Sequence, residues 1–143
     1  MATQPPKPRN LLIFGLAPSP DPNTPWPATR LNAALEAQQS LAKSSHWSLT
    51  VHTVDPSVPT QTSIAQIQEV LRSKPHWDVV GIGFGLRGNL GLTGWFERLV
   101  NVVVREVGAK GTLLGFPTSP DRLVQDSEEL VAREAAERGG GET

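Results

Sequence analysis

Apolar and polar positions follow two rhythms along this chain, and the rhythms take turns. "LLIFGLA" (11–17) is an unbroken apolar run, the pattern of a strand covered on both faces. "ATRLNAALEAQQSLAKS" (28–44) then puts Leu31, Ala34, Leu35, Leu41 and Ala42 at helical spacing. "SLTVHTVD" (48–55) returns to a period of two and suits an edge strand. "SIAQIQEVLRSK" opens on Ser63-x-x-Gln66, a capping box, and lines up Ile64, Ile67, Val70 and Leu71. "DVVGIGF" reads as a third strand, "TGWFERLVNVVVREVG" as a helix over 94–107, and "GTLLGF" as a fourth strand. A last helix has Ser119 as its cap and Pro120 at its first position, with Leu123, Val124, Leu130 and Val131 facing inward.

Four strand–helix units in strict alternation predict an α/β three-layer sandwich with right-handed crossovers. The expected sheet is four-stranded and parallel, in the order 2-1-3-4, flavodoxin-like or Rossmann-like. One domain is expected over 10–138, with residues 1–9 and 139–143 as flexible tails. The 94–107 helix is the exception to a clean pattern, because its three consecutive valines favour a strand. A crossover is needed there, Thr93 can cap it and Gly108 can end it, so a helix is predicted. Its apolar flanks imply deep burial, either within a monomer or in a homodimer formed through that helix.

Composition narrows the chemistry. The 143 residues carry 13 lysines and arginines against 14 acidic residues, a net charge of −1, which leaves no basic stripe for nucleic acid or anionic lipid. With no cysteine there is no disulfide, thiolate metal site or cysteine nucleophile. "MATQPPKPRN" is polar and proline-rich and has no apolar stretch behind it long enough for a signal peptide or membrane span, so a soluble cytoplasmic domain is expected.

"HWSLTV" and "HWDVVG" each set a His-Trp pair just before a strand. His46, Trp47, His76 and Trp77 therefore enter the sheet at its amino edge, whereas ligands of open α/β sheets bind at the carboxyl edge. A structural role is expected for all four.

The segment Gly83-Phe84-Gly85-Leu86-Arg87-Gly88 fits the letters of a dinucleotide fingerprint but not its context. It follows the third strand rather than the first, four residues separate it from Thr93, and Arg105 and Glu106 stand where an acidic ribose ligand belongs. No P-loop lysine is present, and no cofactor is expected. The glycines serve instead for close approach at Gly81 and Gly83 and for turning at positive φ at Gly85, Gly88 and Gly91. Arg87 is delivered to the top of a central strand, where it either binds a substrate oxygen or pairs with a carboxylate such as Asp55.

The rest of that edge is apolar. Trp26 comes from a proline-stiffened loop, Phe84 and Trp95 from the segment after the third strand, and Phe116 from the end of the fourth. Converging rings would build a site for a hydrophobic small molecule, with Gly85 at its wall; separately, each ring can simply close the core. Catalytic groups are sparse: Ser19 sits in no nucleophile elbow, and His52 and Asp55 point to opposite faces of one strand. Glu97 and Asn101, four apart on one helical face, are expected to turn inward. Three histidines and scattered carboxylates make no metal set.

"NLLIFGLAP", "DVVGIGFGLR", "WFERLVN" and "LLGFPTSP" resemble the successive landmarks of a group of short bacterial and fungal α/β proteins with a Gly-x-Gly-Leu/Val-Arg turn. The resemblance spans most of residues 10–135 and implies weight on Gly83, Gly85, Arg87, Phe96, Glu97, Asn101 and Pro120. This chain departs from the group at "GNLGLTG", where the group is proline-rich, and at Phe116-Pro117, where it has Phe-Asn. The group carries no assigned activity, so the resemblance implies a fold and a loop and no reaction.

The preferred functional expectation is a cofactor-independent cyclase, isomerase or lyase acting on a small hydrophobic metabolite of the secondary-metabolism type. Arg87 would donate to a substrate oxygen, His52, Asp55 or Glu97 would handle protons, and Trp26, Phe84, Gly85, Trp95, Asn101 and Phe116 would shape the substrate site. The alternatives are a nucleotide- or anion-binding module built on the glycine-rich segment and a dimeric partner protein with no pocket.

Overall fold

The computed structural model describes residues 7–18 and 23–140. Strands β1 (Arg9–Leu16), β2 (Trp47–Val54), β3 (Val79–Ile82) and β4 (Leu113–Gly115) form a single all-parallel sheet in the order β2-β1-β3-β4. Helices α1 (Ala28–Ser44), α2 (Thr60–Leu71), α3 (Phe84–Arg87), α4 (Thr93–Val107) and α5 (Leu123–Gly140) connect the strands and cover the sheet. The predicted three-layer α/β architecture and strand order are therefore the observed ones.

Strand periodicity divides the core in two. Leu12, Phe14, Val80 and Ile82 point to one face, where α2 and α4 supply Ile67, Leu71, Leu99, Val102, Val103 and Val107. Leu11, Ile13, Leu49 and Val79 point to the other, against Ala42 of α1 and Leu123 and Val124 of α5. Full burial of each such side chain is worth about 1.5–3 kcal/mol. That scale explains why the valine-rich segment is helical: β-branched residues cost a helix at most about 0.7 kcal/mol each, less than the burial of Val102 and Val103 returns. The helix is not apolar all round. Leu99, Val102, Val103 and Val107 form its buried stripe, while Glu97, Arg98, Asn101, Val104 and Arg105 are exposed.

Two helix starts differ from expectation, one of them because of a proline. No capping box opens α2, which begins at Thr60 with Pro59 as its N-cap at φ −52°. The ring pre-sets the entry dihedral, so the helix launches four residues early, at Thr60 rather than after Ser63, and buries Ser63 inside it. Thr93 is likewise the first residue of α4 rather than its cap, and its Oγ1 donates to Leu90 O at 2.8 Å. Ser119 does cap, accepting from the Asp121 N–H at 3.2 Å ahead of the Pro120–Arg122 turn that leads into α5. A second, unforeseen cap comes from α1. Gln38, buried, accepts from the Val124 N–H at 2.8 Å and donates Nε2 to Asp121 O at 2.7 Å. A side chain 86 residues away in sequence thereby satisfies the opening of the last helix.

Of the expected tails, Arg9 opens β1 and α5 continues to Gly140, while residues 1–6 and 141–143 lie outside the described residues. Among the described residues no helix is long and apolar enough to cross a membrane.

Candidate functional site: an apolar cleft at the carboxyl edge

Parallel strands present their carboxyl ends along one rim, and the loops leaving that rim enclose a cleft of about 280 Å³. Its floor is the face of the sheet that carries the odd-numbered residues: Ile13 and Gly15 of β1, Val51 and Thr53 of β2. Leu31 and Leu35 of α1 and Leu123 of α5 close one side. Trp26 with Thr24 and Pro25 forms a second wall, Phe84 and Gly85 of α3 a third, and Pro117–Pro120, the junction between β4 and α5, a fourth. No charged side chain lines it among the described residues. This is where ligands of open α/β sheets sit.

Trp26 is held from behind. The Arg30 guanidinium lies 4.0 Å from the indole centroid, and its Nη1 donates to Pro25 O at 2.7 Å. Among the described residues the cleft has four hydroxyls, and they are not equivalent. Thr118 is committed, since its N–H and Oγ1 both donate to Asp126 Oδ2, at 2.9 and 3.0 Å. Burial pushes the Asp126 carboxyl up, but those two bonds and the Arg122 guanidinium outweigh it and hold the carboxyl below its ordinary value. Ser119 Oγ and Thr24 Oγ1 each accept from a nearby backbone N–H, at 3.2 and 3.5 Å, and keep their own protons to donate. Thr53 is exposed at the floor.

Of the expected site residues, the cleft brings together Trp26, Phe84 and Gly85. The four rings do not converge in one hollow. Trp95 turns into the core packed by α2 and α4, where its Nε1 is buried without a hydrogen-bond partner. Phe116 lies against Phe96, centroids 6.3 Å apart, and is not part of the cleft wall. Arg87 is neither a donor into the cleft nor a partner of Asp55. Its Nη2 donates to Phe116 O and Pro117 O at 3.3 and 3.4 Å, its Nε is buried without a partner, and its guanidinium lies 4.9 Å from the Phe84 ring and 5.7 Å from the Phe116 ring.

The candidate proton handlers are elsewhere. His52 occupies an even position of β2, so it points to the opposite face of the sheet and meets Phe14 edge-on at 5.8 Å. Burial there lowers its pKa from the ordinary 6.5. Asp55 closes a tight turn by accepting from Ser57 Oγ and N–H at 2.7 and 2.9 Å, which lowers its pKa. Glu97 and Asn101 are exposed rather than inward, because the buried stripe of α4 passes on its other side; Asn101 Nδ2 donates to the Glu97 backbone oxygen at 2.8 Å. Among the described residues no three His, Asp or Glu side chains gather as a metal set, and Ser19 lies outside the described residues.

The glycine-rich segment winds into the single turn of α3 rather than an open loop. Its glycines do not supply positive φ; among the described glycines only Gly111 has it, at 76°. They supply room instead. A Cβ on Gly88 would stand 2.6 Å from the Phe84 ring, and one on Gly81 would stand 2.6 Å from Ile13 and 3.2 Å from Pro117.

Sequence reasoning missed Gly15, Val51, Thr53 and Ser119 as cleft residues. Period-two counting from Ile13 and Leu49 would have found the first three, because residues of one parity at the carboxyl ends of neighbouring strands must share a face. No protein-family model, curated protein or solved structure matches this chain.

Proposed function

We propose that the protein binds a small, uncharged, largely apolar metabolite in the carboxyl-edge cleft and rearranges it without a cofactor, as a cyclase, isomerase or lyase. The observation that carries this reading is the cleft itself: an apolar hollow with no charged side chain in its walls among the described residues, two aromatic rings and a few hydroxyls able to donate. Such chemistry needs a substrate held in a reactive shape and one or two hydrogen bonds to an oxygen that gains charge. Trp26, Phe84 and Leu31 would supply the shape, and Ser119, Thr24 and Thr53 the donors. A single well-placed donor of this kind is worth about 2.7–4 kcal/mol of barrier.

The test is a thermal-shift panel of neutral lipophilic compounds set against nucleotides and phosphate, followed by product analysis on the compounds that bind. A ligand at 100 times its Kd stabilises the native state by about 2.7 kcal/mol. The lipophilic arm is expected to shift the melting temperature and the anionic arm to leave it flat; the reverse pattern overturns the reading. Gly15→Leu sharpens it. A Cβ at Gly15 meets no atom within 4 Å, so the new side chain grows into the cleft without strain. Stability is expected to change by less than about 1 kcal/mol while the response to every lipophilic ligand disappears.

A further inference from the structure

Two walls of the cleft come from pieces of chain that cannot hold themselves. Helix α3 is four residues long and lacks a side-chain cap, and a helix that short has no stability of its own. Phe84, its cleft-facing ring, is 54% exposed. The second of these walls, at Pro117, is a junction between strand and helix. Arg87 joins the two. It stands one turn after Phe84 on α3, its guanidinium is near the Phe84 and Phe116 rings, and its Nη2 reaches the carbonyls of Phe116 and Pro117. Both hydrogen bonds are long, at 3.3 and 3.4 Å, so the join depends on a planar cation that meets two rings and two carbonyls together. A lysine, as a point charge on a flexible stem, cannot reproduce it.

We propose that Arg87 is a positioning residue that sets the width of the cleft, and that with it in place the cleft admits uncharged molecules up to about the size of two fused rings. This rests on the cleft's being a binding site for apolar molecules. The size follows from the volume: a cavity of about 150 Å³ holds one benzene, and 280 Å³ is nearly twice that. The lack of charge follows from the walls, since no charged side chain among the described residues would repay a buried carboxylate for its lost hydration.

The experiment compares phenol, 2-naphthol, 2-hydroxyanthracene and 2-naphthoate as probes by calorimetry on the full chain, with hydrogen exchange of the α3 amides measured without ligand. The wild-type protein is expected to bind 2-naphthol best and to reject both 2-hydroxyanthracene and 2-naphthoate. Arg87→Lys is expected to weaken 2-naphthol at least tenfold, to admit 2-hydroxyanthracene, and to speed exchange at Leu86 and Gly88 at least tenfold. Phe116→Leu removes one ring from the join at a position 43% exposed, and is expected to move each readout part of the way; it decides the matter if the lysine variant does not fold. A lower melting temperature with unchanged preference among the three neutral probes would make Arg87 merely structural and overturn the proposal. Failure of the wild-type protein to bind any neutral probe would instead sink the binding reading, and unchanged α3 exchange in both variants would sink the positioning role independently.

Discussion

The two ends of the sheet use the same residue types to opposite ends. At the amino edge every indole is finished: Trp77 donates to Leu71 O at 2.9 Å and Trp47 to Glu128 Oε1 at 3.1 Å, with both rings buried. Around them Asn10 donates its N–H to Asp78 Oδ2 at 2.7 Å and Nδ2 to His76 O at 3.0 Å, while Lys74 Nζ reaches Asn10 Oδ1 and Ser48 Oγ. The carboxyl edge is unfinished. Trp95 Nε1 and Arg87 Nε are buried without partners, and Phe84 and Phe116 stand exposed. Native proteins rarely leave buried donors unpaired. Among the described residues both buried side-chain donors without partners lie at this edge, so it is packed less completely than the amino edge.

The sharpest way to break this contrast is a pair of tryptophan truncations. Trp77→Ala is expected to lose about 3–5 kcal/mol in denaturant unfolding, the usual cost of removing a fully buried large ring. Trp26→Ala, at a half-buried cleft wall, is expected to cost less than about 1 kcal/mol and to abolish the thermal response to lipophilic ligands. Equal losses from the two would erase the difference between the edges. Next in size, Gln38→Leu is expected to cost about 1–3 kcal/mol, because it strands the Val124 N–H and Asp121 carbonyl inside the fold. That loss belongs to the scaffold below the cleft, so ligand preference should persist at temperatures where the variant is folded. The smallest effect concerns pH. Burial lowers the His52 pKa from 6.5, so the folded protein binds that proton more weakly than the unfolded chain does. Its contribution is full above pH 6.5 and is lost as pH falls through the lowered value. Melting curves between pH 7.5 and 5 should fall less steeply for His52→Gln than for the wild-type protein, with ligand binding unaffected, since His52 faces away from the cleft.

The strand order was legible because alternating strand and helix patterns, short connections and right-handed crossovers leave few arrangements. From that order and the rule that loops at the carboxyl rim hold ligands, Trp26, Phe84 and Gly85 could be placed together. What stayed hidden depended on rotation. Trp95 and Phe96 are neighbours in α4, and only the packing of Leu99, Val102 and Val103 against the sheet decides which ring meets Phe116. The same rotation turns Glu97 and Asn101 to solvent. Arg87 was found as a residue of the right edge, but its direction is set by carbonyls from a segment 29 and 30 residues later, which no local pattern encodes. Gln38 was invisible for the same reason: a glutamine within an amphipathic helix carries no sign that it closes another helix 83 residues on.

The cap that Gln38 supplies also dates the cleft. In chain order its lining runs from Ile13 to Leu123, beside the Val124 N–H that Gln38 receives from α5. A ribosome must therefore release the chain as far as Leu123 before the cleft is complete, and a nascent chain halted after β3 would present only an open, greasy half-shell.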